Sequence, residues 1–312
     1  MSILTYPFLI KYISFYSNFF EDACAYLRLL SPAKLLGIKV IKCRVNNQIT
    51  YPERARKGDL VFIQRDFPRD LPAYEQVMEL ARQQHKPVVF DIDDLLFFLP
   101  ENHPERISHH YTEALLPMLE ALTEADLVSV TTPTLKNYLE PFNKNIFVVP
   151  NYFDDSIWNL KKPVLNNNNE PIIIGYMGGE SHQPDIEFIT PALEEILKKY
   201  PQNLRLVFWG IKPSKKLTAY SQVQWLPAHS YNYPAFAQYF QTQEADIVIA
   251  PLVDNIFNAA KSPLKFFEYS SIGAPGIYSN LDPYQQVITH GENGFLASTL
   301  EEWRFYIEAL IQ

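Results

Sequence analysis

Residues 246–298 read DIVIAPLVDNIFNAAKSPLKFFEYSSIGAPGIYSNLDPYQQVITHGENGFLAS, and the punctuation of this stretch decides the fold. Asp246–Ala250 is an apolar run of strand length that stops at Pro251, and a loop follows to Ser262. Ser262 and Pro263 stand where an N-cap and a first helical residue are favoured. They predict a helix over Pro263–Ile272. Gly273-Ala274-Pro275 ends it and releases a second apolar run, Pro275–Tyr278. Strand, helix and strand on short links form the unit of a parallel sheet covered by helices. Lys265 and Glu268 are three residues apart and share a helix face, with Lys261 just ahead. Free N–H groups and the dipole at a helix start, flanked by two lysines, suit an anion. A carboxylate one turn along, ~5 Å, is placed to accept ribose hydroxyls.

The same alternation extends in both directions. Upstream strands are expected at Phe8–Tyr16, Ile38–Cys43, Asp59–Gln64, Pro87–Ile92, Asp126–Val130 and Asn145–Val149, with helices from about Ala23, at Leu71–Gln84 and at Glu105–Leu122. Four asparagines, Asn166–Asn169, between Pro163 and Pro171 read as a linker. The pattern then restarts with strands Ile172–Tyr176, Arg205–Trp209 and Val223–Leu226, and helices Ile186–Lys199, Pro234–Phe240 and Leu300–Ile311. At 312 residues the chain suits two cores rather than one. The expected architecture is α/β: two Rossmann-like domains, 1–165 and 166–312, facing each other across a cleft.

Charge narrows the partners. With 27 basic and 35 acidic residues the net charge is -8, which argues against a general nucleic-acid binder. Cys24 and Cys43 form no disulfide framework or metal pair and fit a reducing cytoplasm. The apolar N-terminus, Ile3 to Phe20, is broken by Lys11, Ser14, Ser17 and Asn18, too often for a membrane span. A buried strand is the first reading of it, and a peripheral contact with the inner face of a membrane the second.

Five pieces in order resemble the family-4, group-1 glycosyltransferases, which have the GT-B fold. Glu268 with Gly273 and Pro275 resembles the second glutamate and Gly-x-Pro turn of that family. His290-Gly291-Glu292-Asn293-Gly294-Phe295-Leu296 resembles its later turn. Met177-Gly178-Gly179 resembles its diphosphate loop, and Pro150-Asn151 with Asp154 the close of its first domain. The likeness spans roughly residues 145–310. Departures accompany it. Lys261 stands at the family's first glutamate, Glu180-Ser181-His182 replaces a basic pair, and Ser17–Asp22 replaces an N-terminal glycine loop.

The resemblance implies transfer of a sugar from a nucleoside-diphosphate sugar to an acceptor hydroxyl, with retention and with neither metal nor separate cofactor. Gly178, Gly179, Lys261, Ser262, Lys265 and Glu268 would hold the donor. The acceptor class stays open among saccharides, lipid-linked sugars and small molecules. The substituted glutamate supplies the alternative, a non-catalytic GT-B protein that binds a nucleotide sugar or serves as a scaffold.

Val88–Leu95, VVFDIDDL, is the other conspicuous motif. A strand of a parallel sheet aims its C-terminal residues at the ligand-binding edge, which makes Asp91, Asp93 and Asp94 candidates for acceptor binding or general-base work. Capping of the next segment is the plain reading. A Mg²⁺ site like that of haloacid-dehalogenase phosphatases is a third, although Leu95 breaks that motif. His182, directly after the glycine loop, joins the catalytic candidates. The other histidines show no ligand spacing, and His109-His110 read as a solvated helix face.

Overall fold

The computed structural model describes residues 9–46, 48–162 and 170–312. The chain forms two compact units. One comprises residues 1–93 and 111–149, the other 94–110 and 150–312. Segments 94–110 and 150–162 therefore sit with the second unit, although they precede the asparagine run. That run lies outside the described residues, as does Phe8.

The first unit is a six-stranded, all-parallel sheet. Its strands are β1 (Tyr12–Tyr16), β2 (Lys39–Lys42), β3 (Leu60–Gln64), β4 (Val88–Ile92), β5 (Leu127–Val130) and β6 (Ile146–Val148), in the order β2-β1-β3-β4-β5-β6. β3 is buried at every residue, as expected of an apolar run covered on both faces. Phe15 packs edge-on against Phe20 and Phe62. The first helix, α1, is built from Ala23–Ala25, a π turn at Tyr26–Leu30, and Ser31–Leu35. α2 (Leu71–Gln83), α3 (Leu115–Glu124) and α4 (Pro133–Leu139) also belong to this unit, with a small antiparallel pair, Arg44–Val45 and Ile49–Thr50, following β2 in sequence.

The second unit repeats the plan with β7 (Ile172–Gly178), β8 (Leu204–Gly210), β9 (Val223–Leu226), β10 (Ile247–Ala250), β11 (Gly276–Ser279) and β12 (Phe295–Ala297), again all parallel, ordered β9-β8-β7-β10-β11-β12. α5 (Gln183–Lys199), α6 (Tyr233–Phe240), α7 (Leu264–Ser270) and α8 (Leu300–Ile311) cover it. Ile186, Ile189, Phe208, Ile249 and Trp303 form part of its core. Each sheet with its helices is Rossmann-like.

Three local expectations change. The single helix Glu105–Leu122 is instead Pro104–Ile107 and α3, because His109 at φ 55 takes a left-handed conformation that no helix continues through. The two pieces belong to different units. α4 was missed, although Thr132 caps it by accepting from Leu135 N–H and Pro133 opens it. The turn ending in Phe295-Leu296 runs straight into an edge strand, β12. Among the described residues no helix is long and apolar enough to cross a membrane.

Candidate functional site

In the second unit strand order reverses at β7, which lies between β8 and β10. The crevice beyond the carboxyl ends of such strands is where open α/β sheets take ligands. β7 ends there at Gly178, where an added Cβ would lie 2.5 Å from the buried Tyr176 hydroxyl, so only glycine fits. The chain passes Gly179 and one short turn, Glu180–His182, before α5 begins. α7 is fastened over the same edge by Tyr269. Its hydroxyl accepts from Met177 N–H at 2.9 Å and lies 3.2 Å from the Met177 carbonyl and 3.3 Å from that of Ile249.

These elements bring three titratable groups, Asp185, His182 and Lys265, into one hydrogen-bonded line, with a fourth, Glu268, on the same helix as Lys265. Asp185, in the first turn of α5, accepts at Oδ1 from Val253 N–H and the Asn258 amide, at 2.8 and 2.9 Å. Its Oδ2 lies 2.7 Å from His182 Nδ1. His182 Nε2 lies 3.0 Å from Lys265 Nζ on α7. Glu268, one turn further along α7, accepts at Oε1 from the Tyr233 hydroxyl at 3.1 Å, and Trp158 Nε1 donates to that hydroxyl at 3.3 Å.

The geometry fixes the protonation states. An ionised Asp185 can only accept, so His182 carries its proton on Nδ1 and offers the Nε2 lone pair to the Lys265 ammonium. Burial pushes His182 down to about 4, and the neighbouring Lys265 charge pushes the same way. Burial alone would raise Asp185, but the hydrogen bonds from His182 and Val253 N–H outweigh it and hold the carboxyl below its ordinary value. Burial lowers Lys265, helped by Lys261, and raises Glu268. Each is the other's counter-ion in a site where an isolated charge is costly.

Lys261 and Ser262 differ from expectation. Pro263 occupies the cap position, Leu264 opens a seven-residue α7, and no side chain caps it. The Ser262 hydroxyl instead accepts from the Asn151 side-chain amide at 3.0 Å. The helix start is therefore a weaker anion site than the sequence implied. Lys261 sits 3.6 Å from Asp94 and 4.4 Å over the Phe257 ring. The longer α5, starting beside Gly178-Gly179, presents the stronger dipole.

The aspartate triplet is dispersed. Asp91 is fully buried in the first unit, where it takes Arg28 Nε at 3.1 Å and its terminal nitrogen at 2.9 Å. Gln64 and Ser129 also donate to it, at 3.2 and 2.6 Å. It is the hub of a buried ion pair rather than a free acid at a sheet edge. Nor does it fit a Mg²⁺ site, since a guanidinium occupies its oxygens. Asp93 accepts from the Cys24 thiol at 2.8 Å and pairs with Arg65 at 3.3 Å. Burial, then the Asp93 charge, raises Cys24 well above the ordinary thiol range, which keeps it the donor. Asp94 belongs to the second unit with Lys261.

Sequence reasoning passed over His103. The structure buries it edge-on against Phe257, 5.0 Å between centroids, in a cavity shared with Asn102, Ser181 and Asp185. Its Nδ1 accepts from Glu105 N–H. The only signal in the sequence is the His103-Pro104 pair, a cap and first helical residue standing just ahead of the helix expected from Glu105.

A pH test follows from His182. An ordinary imidazole titrates near 6.5 and this one at about 4, so its neutral form stabilises the fold fully above about pH 6.5 and loses that effect as pH falls toward 4. The expected loss from about pH 7.5 to pH 5 is about 2 kcal/mol. Glu268, raised by burial, works the opposite way as pH falls from 7 to its ordinary 4.5. The measurement is therefore a difference: urea unfolding of His182→Gln and wild type across this range. The variant should show a shallower acid limb, and equal limbs would remove His182 from the titration.

Comparison with known proteins adds three findings. Residues 171–312 match the family model "Glycosyl transferases group 1". No curated protein matches the sequence. Among solved structures, Anabaena Alr3699/HepE in complex with UDP-glucose superposes with a TM-score of 0.62 at 13% identity, over 97% of this chain and 90% of that one. A glycosyltransferase from Rickettsia africae ESF-5 gives 0.55 at 13% identity, over 96% and 87%. The lipopolysaccharide outer core galactosyltransferase WaaB gives 0.52 at 15%, over 96% and 90%.

Proposed function

We propose that this chain, a group 1-like glycosyltransferase of GT-B fold, moves a hexose from a nucleoside-diphosphate sugar to a saccharide hydroxyl, with retention and without a metal. The carrying observation is the line Asp185–His182–Lys265 with Glu268 one turn further on, set at the switch point beside Gly178-Gly179. The diphosphate belongs at the glycine loop and the start of α5, where backbone N–H groups and the Lys265 ammonium meet its charge. The ribose lies toward Glu268. As the sugar leaves, negative charge gathers on the diphosphate, and fixed donors there stabilise the transition state. His182 is a positioning residue in this scheme, since its lone pair and the Asp185 carboxylate behind it aim Lys265. Lys261 and Ser262 border the donor through their contacts with Asp94 and Asn151. Asp94, partly exposed and in the same unit as these groups, is the acid of the triplet best placed for an acceptor hydroxyl. HepE, solved with UDP-glucose, makes a uridine diphosphate sugar the first donor to try. The unpaired Cys24 and Cys43 fit a reducing, cytoplasmic setting.

The test is calorimetric titration with UDP-glucose and a panel of other nucleotide sugars, with and without EDTA, followed by assay of sugar transfer. Micromolar binding unchanged by EDTA is expected. Binding lost on chelation and restored by Mg²⁺ would defeat the metal-free scheme, and tight binding without transfer or hydrolysis would leave a binding protein.

A further inference from the structure

We propose that the edge of the first unit where β1 and β2 begin is a docking surface for an anionic lipid bilayer. Tyr12 pairs with Lys39 in parallel register, and Lys39 N–H donates to the Lys11 carbonyl at 2.8 Å. The chain entering β1 and the turn entering β2 therefore leave the sheet side by side. α1 ends on Leu35 and Leu36 at this edge, and Gly37 at φ 69 turns the chain into β2. Leu35 and Leu36 are 73% and 74% exposed, Leu9 is 78% exposed, and Ile10 and Tyr12 are 39% each. A single exposed leucine needs no explanation, but a group of five apolar residues at one edge does.

Lysines ring the group. Lys11, Lys34 and Lys39 are exposed, and the Lys39 ammonium lies 5.8 Å over the Tyr12 ring. The neighbouring acid, Asp59, is occupied by the backbone N–H groups of Lys11 and Tyr12, at 2.7 and 2.9 Å. In a chain of net charge -8, a lysine-rimmed apolar edge selects its partner by sign. A second copy docked face to face would oppose lysine with lysine. An anionic bilayer suits both halves of the patch, because the leucines enter the acyl boundary while the lysine stems lie along it and their ammonium groups reach lipid phosphates. This inference is independent of the nucleotide-sugar reading.

The test is sedimentation of the full chain with vesicles of phosphatidylcholine alone and of phosphatidylcholine mixed with phosphatidylglycerol. Binding to the mixed vesicles only, weakened by salt, is expected. Lys34→Glu/Lys39→Glu should reduce it by about fivefold or more per lysine. Leu35→Ser/Leu36→Ser should reduce it at least tenfold at an unchanged melting temperature, which shows that this exposed pair leaves the fold intact. No binding by the wild type, equal binding to neutral vesicles, or undiminished binding by both variants would overturn the proposal. So would a concentration-dependent dimer abolished by Leu35→Ser/Leu36→Ser, which would give the face to a second copy.

Discussion

Asp91→Ala is expected to destabilise the first unit by about 3–5 kcal/mol, because it leaves the buried Arg28 guanidinium without its counter-ion. Arg28 side-chain exposure is 1% and that of Asp91 is 0%, so neither charge can turn to water. Arg28 keeps its bond to the Val149 carbonyl, but Gln64 and Ser129 lose an acceptor. Asp91→Asn should cost less, since an amide oxygen still accepts from Ser129 and Arg28, but the charge compensation is lost. Asp94→Ala should cost no more than about 1 kcal/mol, because its partner Lys261 keeps partial access to solvent. Urea unfolding followed by near-ultraviolet circular dichroism would separate the three. Two units can melt in two steps, so the shift should appear in one transition while the other stays in place. An Asp91→Ala midpoint equal to wild type would contradict the ion-pair role. A double variant, Arg28→Met with Asp91→Leu, should recover most of the loss, as apolar replacement of a buried pair often does.

The triplet marks where sequence ceases to be legible. Val88–Ile92 declares a strand through its own apolar run, and the direction of a parallel strand places its last residues at the functional edge. Which way each carboxylate faces depends on partners far along the chain: Arg28 is 63 residues from Asp91, and Cys24 is 69 from Asp93. No local pattern encodes those distances. The same holds for Ser262. Its position before proline is a proper capping signal, yet Asn151, 111 residues away, claims the hydroxyl and the helix opens two residues later. The donor segment was more legible, because Lys265 and Glu268 lie on one helix and their spacing alone puts them on one face. Helix periodicity could not reveal that His182, 83 residues earlier, completes the line to Lys265, although its place after the glycine loop made it a candidate.

Lys265→Ala should weaken nucleoside-diphosphate binding by about ten- to a hundredfold and slow transfer at least as much. A charge-assisted hydrogen bond in a dry site is worth about 1.5–3 kcal/mol, and about 1.4 kcal/mol is one decade of affinity. The effect on transfer adds to this if the ammonium bears on charge that grows only in the transition state. Glu268→Gln tests the other half of the site. The glutamine can still accept from Tyr233, so the local packing survives, but the charged acceptor for ribose is gone. The two variants should therefore sort ligands differently. Lys265→Ala should spare a nucleoside and penalise its diphosphate, whereas Glu268→Gln should penalise both. The pair is also coupled. Without Lys265, burial drives Glu268 further toward its protonated form, so part of the ribose contact is lost with the lysine and the double variant should cost less than the sum of the singles. Since burial lowers Lys265, diphosphate affinity in the wild type should fall as pH rises above neutrality, sooner than an ordinary lysine would dictate, and Lys265→Ala should remove that dependence. Titration calorimetry of nucleoside and nucleoside diphosphate against wild type, the two singles and the double decides the matter. Unchanged affinity in both single variants would reduce Lys265 and Glu268 to a structural pair on an ordinary helix and remove the donor from this edge of the sheet.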